Sequence, residues 1–235
     1  MKIVNTKVMA ALLGASVLAS APVVAQDKSG TNKSETELEL TDSGKMVEKA
    51  ALGYRLAEYA RANEDGQAML VAARILKGVS LRDSDNKGEM VATGKGKADA
   101  GDDGAMVTAD TLLDEAATFA ADDDDLLDMI EETRAAENRG AVGGAIGLRR
   151  WVPSATAWNV DFTARGGEPL VIAAQRDSGT PVDLQVYDEN GYLVCQDMSH
   201  NVVLKCRVDP AWTGPFRVKL SNHGGIGTGV QLVTN

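Results

Sequence analysis

From Trp151 to Asn235 the chain alternates apolar and polar residues with period two, interrupted at short intervals by turn residues. Trp158, Val160 and Phe162 share one side, opposite Asn159, Asp161 and Thr163. The pattern returns at Leu170, Ile172 and Ala174, at Val182, Leu184 and Val186, and at Val202, Leu204, Cys206 and Val208. It returns again at Phe216, Val218 and Leu220, and at Val230 and Leu232. Successive side chains of a strand point to opposite faces, so this period puts one face in a core and the other in water. Gly166–Gly167, Gly179, Asn190–Gly191, Trp212–Pro215 and Gly224–Gly225 supply the turns. So many short strands in so short a stretch predict an antiparallel two-sheet sandwich, jelly-roll-like or Greek-key in type.

The preceding half follows a different period. Val47, Ala50, Ala51, Tyr54, Ala57 and Ala60 recur near 3.6 residues, with Ser43 as the expected cap. Asn63–Gly66 breaks the pattern, and a second run through Met69, Ala72 and Leu76 ends at Gly78. Thr108 opens another helix through Leu112, Leu113, Ala116, Phe119 and Ala120. Asp122–Asp125 then opens a fourth, through Leu126, Leu127, Met129 and Ile130. The acidic run at 122–125 fits a helix N-terminus, whose free amides and dipole favour carboxylates. The expected architecture is therefore α+β. A small α-helical region of two helical hairpins spans 43–137, with a flexible glycine- and charge-rich linker at 80–105. A Gly-rich linker at 138–147 leads to the β-sandwich domain at 148–235. Residues 26–42 are polar and charged and are expected to form a disordered leader.

Residues 1–25 carry the pattern of a cleaved secretory signal. Lys2 and Lys7 precede an apolar stretch from Val8 to Leu18, and Val23 and Ala25 are small residues at a cleavage position. The apolar stretch is shorter than the ~20 residues of a membrane span. A periplasmic or extracellular location follows, with no integral membrane segment after cleavage. The net charge is −10. Acids outnumber bases two to one from Asp27 to Glu137, whereas the remainder is close to neutral. An acidic chain repels phosphate backbones, so no nucleic-acid partner is expected.

Cys195 and Cys206 are the only cysteines, and they fall on either side of one predicted hairpin. Export permits oxidation, and a zinc site would need further ligands. A structural disulfide is expected, worth about 3 kcal/mol for so short a loop. Asp183, Asp188, Asn190 and Asp197 flank strand ends near the same hairpin and offer the oxygen donors calcium prefers. Turn chemistry accounts for the same residues equally simply. Calcium is the one cofactor these residues could call for. Asp83, Asp85 and Gly88 resemble the start of a calcium loop, but Lys87 and Gly94 stand where ligands are needed. Tyr192 and Trp212 lie beside turns and are the candidate ligand-binding aromatics. His200 and His223 are the only histidines, and neither lies in a H-E-x-x-H or beside a G-x-S-x-G motif. No catalytic residue is assigned.

The run VDLQVYDENGYLV, the segment Pro210–Phe216 (P-x-W-T-G-P-F) and the closing QLVTN resemble the bacterial pre-peptidase C-terminal (PPC) type of β-sandwich. The upstream LAEYARANEDGQAMLVAARIL and LLDEAATFAADDDDLLDMIEE resemble the helical region of secreted, mostly uncharacterised proteins that carry such a module. The resemblance implies export, a jelly-roll-like sandwich and no established catalytic activity. PPC modules usually accompany secreted peptidases, and no peptidase domain accompanies this one. The expected function is a secreted, non-enzymatic binding or structural module for an envelope or extracellular protein or polysaccharide. Two alternatives stand beside it: an accessory subunit of a secreted hydrolase, or a hydrolase itself, and a calcium-dependent carbohydrate- or peptide-binding protein.

Overall fold

The computed structural model describes residues 28–96, 99–136, 144–177 and 179–235. The expected signal peptide and most of the linker at 138–147 lie outside them. Helices α1 (Asp42–Asn63) and α2 (Gly66–Lys77) form the first hairpin, α3 (Ala109–Ala120) and α4 (Asp124–Ala135) the second. Each start has a side-chain cap. Thr41, not Ser43, takes the Gly44 amide, Asp65 takes that of Ala68, and Asp123 takes that of Leu126. Thr108 and Thr111 cap each other's backbone reciprocally. The acidic run before α4 is thus cap and first turn.

Ten strands follow the sandwich pattern: β1 (Leu81–Arg82), β2 (Glu89–Ala92), β3 (Ala145–Val152), β4 (Thr156–Ala164), β5 (Leu170–Arg176), β6 (Val182–Asp188), β7 (Leu193–Asp197), β8 (Val203–Val208), β9 (Gly214–Asn222) and β10 (Thr228–Thr234). They make two five-stranded sheets, A in the order β1-β3-β10-β5-β8 and B in the order β2-β4-β9-β6-β7. From β3 onward only β6 and β7 are consecutive strands of one sheet, and every other connection crosses between sheets. Two nested wraps of this kind make a jelly roll.

The region expected to be a structureless linker at 80–105 contributes to both sheets. β1 runs parallel to β3 and β2 antiparallel to β4. Beyond β2 the chain is tied to Trp151, whose amide donates to Asp103 Oδ1 at 2.8 Å and whose indole donates to Asp99 O at 3.2 Å. These ties were hidden because short edge strands among glycines and charges carry no periodic apolar signal. β3 likewise begins at Ala145, inside the stretch expected to be linker.

Two apolar clusters divide the molecule. One fills the space between the sheets, with Trp158, Phe216, Leu184, Leu220, Ile172 and Leu232 at its centre. The other lies between the helices and the outer face of sheet A, where Ala145, Val171, Ala173, Val203 and Val233 meet α1. Polar contacts reinforce this second layer. Gln231 on β10 donates to the Tyr54 hydroxyl at 2.6 Å and to Val107 O at 3.1 Å, and accepts from Val107 N at 2.6 Å. Lys205 on β8 meets Glu48 on α1 at 2.9 Å. Burial pushes the Tyr54 hydroxyl well above the ordinary tyrosine range. Helices and sandwich therefore share one packed interface.

Cys195 and Cys206 form a disulfide with a Cα–Cα distance of 5.9 Å. The pair does not lie across a hairpin. Cys195 is on β7 at the edge of sheet B and Cys206 on β8 at the edge of sheet A. The bond is a clasp between the two sheets, and it points to an extracytoplasmic location. Among the described residues, no helix is long and apolar enough to cross a membrane.

Candidate ligand-binding face

Among the described residues, no helix packs on the outer face of sheet B. Its register sets Asp161, Arg217, Tyr187 and Leu193 in one row across β4, β9, β6 and β7. A second row carries Glu89, Asn159, Lys219, Gln185 and Gln196. Arg217 grips Asp161 through two hydrogen bonds of 2.8 Å. That grip holds the Asp161 carboxyl below its ordinary range and raises the guanidinium further. A register shift at Val186/Tyr187 bends the sheet beside the row. Next to it lies a cleft of about 420 Å³ lined by Asp161, Tyr187, Asp188, Glu189, Gly191, Pro215, Phe216 and Arg217. Tyr187 is half-buried in its wall, and Tyr192 is 48% exposed beyond it. Amides, the Asp161–Arg217 pair and an aromatic plane supply donors and acceptors, while Asp188 and Glu189 leave the cleft net acidic.

The cleft's rim is built by the turn after β6. Asp188 Oδ1 accepts from the amides of Asn190 and Tyr192 at 3.0 and 2.8 Å. Its Oδ2 accepts from the amide of Asn32 at 2.8 Å. Residues 28–40, expected to be a disordered leader, lie here as a strap along the sandwich. Asn32 is fully buried. Its Oδ1 accepts from Trp212 N at 3.0 Å, and its Nδ2 donates to Trp212 O at 2.9 Å and to Glu189 Oε2 at 3.2 Å. Asn190 Nδ2 donates to Lys28 O and Gly30 O, Ser34 N to Asp209 O, and Lys28 Nζ to Thr213 O. Gly214 leaves the room Glu189 needs, since a Cβ there would stand 2.6 Å from Glu189 Oε1. Burial alone would raise the Glu189 carboxyl. Hydrogen bonds from the Trp212 indole, its own backbone and Asn32 outweigh that and hold it below its ordinary range. The strap went unseen because a buried asparagine, backbone hydrogen bonds and the contacts of Arg207 and Asp209 with Glu37 and Leu38 hold it, and none of these leaves a compositional mark.

The four candidate calcium residues do not converge. Asp183 and Asp188 lie toward opposite ends of β6, about 17 Å apart at strand rise. Asp183 pairs with His223 at 3.0 Å, and both Asp188 oxygens are taken by amides. The Asn190 side chain holds the strap. Asp197 accepts from the amides of Ser199 and Lys205 at 3.0 and 2.8 Å. Burial acts to raise its carboxyl, and these bonds hold it lower. Among the described residues, no group of three or more His, Cys, Asp or Glu side chains is placed to hold a metal ion. Trp212, expected at the surface, is 8% exposed, with Asn32 on its backbone and Glu189 on its indole. Tyr192 is exposed as expected. His200 has a φ of 58° in a turn, and His223 meets a carboxylate in Asp183.

A second cavity of about 450 Å³ lies between helices and sandwich, walled by Leu76, Val79, Leu81 and Val107. Two of its polar groups are already engaged, the Tyr54 hydroxyl by Gln231 and the Lys77 ammonium by Thr133 O and Ala136 O.

No family model matches this chain, and no curated protein matches it. Two solved structures illustrate its distant likenesses. One is the pre-peptidase C-terminal domain of collagenase from Bacillus anthracis, at 8% identity and a TM-score of 0.29, covering 39% of this chain and 76% of that one. The other is PliG from Aeromonas hydrophila, a periplasmic inhibitor of g-type lysozyme. It matches at 4% identity and a TM-score of 0.30, covering 39% of this chain and 86% of that one. Neither assigns the chain to a family.

Proposed function

We propose that this is a secreted, non-enzymatic binding module, resident in the periplasm or outside the cell, that takes a neutral polysaccharide on the open face of sheet B. One observation carries the reading. The helices cover the outer face of sheet A, while the outer face of sheet B is left bare with amides, an ion pair and Tyr187 around a cleft. Hydroxyl-rich ligands suit such a face, because amides serve as donors and acceptors and an aromatic plane accepts the apolar side of a sugar ring. The two-layer fold holds the surface rigid, which limits the entropy lost on binding. The test is retention of the purified protein on neutral envelope polysaccharides. Tyr187→Ala should weaken it about tenfold, equivalent to about 1.4 kcal/mol. Retention unchanged by Tyr187→Ala and by Gln185→Ala overturns the reading. Chelation of calcium should leave retention as it is.

A hydrolase is the second reading, supported by the His223–Asp183 pair at 3.0 Å, since a carboxylate that orients a histidine is part of many acid–base devices. Hydrolysis of a polysaccharide or peptide that is lost in His223→Ala would favour it.

A further inference from the structure

The strap's anchorage has the form of a recognition site. Asn32 is the one side chain between Lys28 and Leu40 that is fully buried, and its neighbours Thr31 and Lys33 are exposed. Its carboxamide forms a closed pair with one residue's backbone, accepting from Trp212 N–H and donating to Trp212 C=O. That ring requires an N–H on the same side as the C=O. A primary carboxamide has one, and a trans secondary amide such as an acetamido group does not. A carboxylate would set an anionic oxygen against Trp212 C=O and Glu189. The site therefore selects asparagine over aspartate. Asp188 reads the main-chain amide beside it, and Asn190 reads two main-chain carbonyls upstream. The fold uses the same closed pair at Gln231 and Val107, where it is locked beneath the helical layer. At Asn32 it lies under a thin segment with little apolar burial, the kind of element that opens locally.

We propose that the Asp188–Trp212 clasp is an exchangeable recognition site for an extended segment bearing asparagine, occupied in cis by the chain's own strap and open to the strap of a second copy. It shares Asp188 and Glu189 with the wall of the cleft but uses neither Tyr187 nor Gln185, the side chains that test the polysaccharide reading, so the two readings fail separately.

The probe is a fluorescent peptide covering Lys28–Leu40, its anisotropy read against the full chain. In the native protein the tethered strap competes at an effective concentration on the order of mM, so micromolar peptide stays free. The Asn32→Asp chain, its own strap released, should bind the peptide at least about tenfold more tightly than the native chain does. The same peptide with Asn32→Asp should bind that chain at least about tenfold more weakly. Equal binding of the two peptides overturns the proposal. So does a folded Asn32→Asp chain that releases its strap amides to exchange yet leaves the peptide free. Should that chain not fold, the native protein serves. Excess unlabelled peptide should speed hydrogen exchange at the Asn32 and Ser34 amides, and unchanged exchange overturns the proposal.

Discussion

The two sheets of this sandwich have the same strand count, five each, and opposite surroundings. In sheet A, β5 and β10 are buried along their whole length, because helices cover one face and sheet B the other. In sheet B, β4 and β9 alternate buried and exposed positions in register. Sheet A is thus a structural partition and sheet B a surface. The difference separates what a substitution can disturb: one sheet governs whether the chain folds, and the other what it touches.

The most severe way to break that contrast is a charge on the helix-facing side of sheet A. Val171→Asp should cost more than about 4 kcal/mol or prevent folding, because it buries an unpaired carboxylate. The matching Thr163→Asp on the open face should stay within about 0.5 kcal/mol. Equal effects in urea unfolding would show that the sheets do not differ as described. Next comes the bond that joins the sheets. Replacing Cys195 and Cys206 together by serine should cost about 3 kcal/mol, read as a lower urea midpoint in non-reducing buffer.

A smaller effect separates the sheets by pH. Tyr54→Phe should cost about 1 kcal/mol through the lost Gln231 bond. It should also remove an alkaline transition. Burial raises the folded-state pKa of Tyr54 above its unfolded value of about 10, so its contribution is intact below that pH and is lost as pH rises beyond it. Sheet B should respond at the other end. Asp161 and Glu189 have lowered folded-state values. Their contributions are present above about pH 4 and are lost as pH falls through the folded values. Both side chains are solvent-exposed, so the effect is a few tenths of a kcal/mol. Amide exchange should show the strap loosening in acid while the α1 interface holds. The reverse order would invert the assignment.

The sequence reveals sheet B more readily than sheet A for the same reason. Trp158, Val160 and Phe162 against Asn159, Asp161 and Thr163 announce a half-buried strand. Leu170–Ala174 reads as alternating only if Val171 and Ala173 are overlooked. Its unbroken apolar run is the mark of a strand covered on both faces. The helices and most of their caps are legible because their period and cap residues are local. Trp212, the strap and the sheet-to-sheet disulfide depend on partners more than a hundred residues away or on which strands pair, and local pattern carries neither. Of the candidate site, Tyr192 and the turn at Asp188 are legible, whereas Arg217 and Tyr187 become neighbours only through strand register.

The position of β10 also bears on the order in which the chain can fold. Thr228–Thr234 forms the middle of sheet A, hydrogen-bonded to β3 on one side and β5 on the other. Until that segment leaves the ribosome, β3 and β5 have no strand between them, and α1 lacks part of the surface it packs on. Contacts so distant in sequence close slowly. Sheet A therefore cannot close before β10 is made. The disulfide then joins β8, in the sheet that waits for β10, to β7, in the sheet that does not.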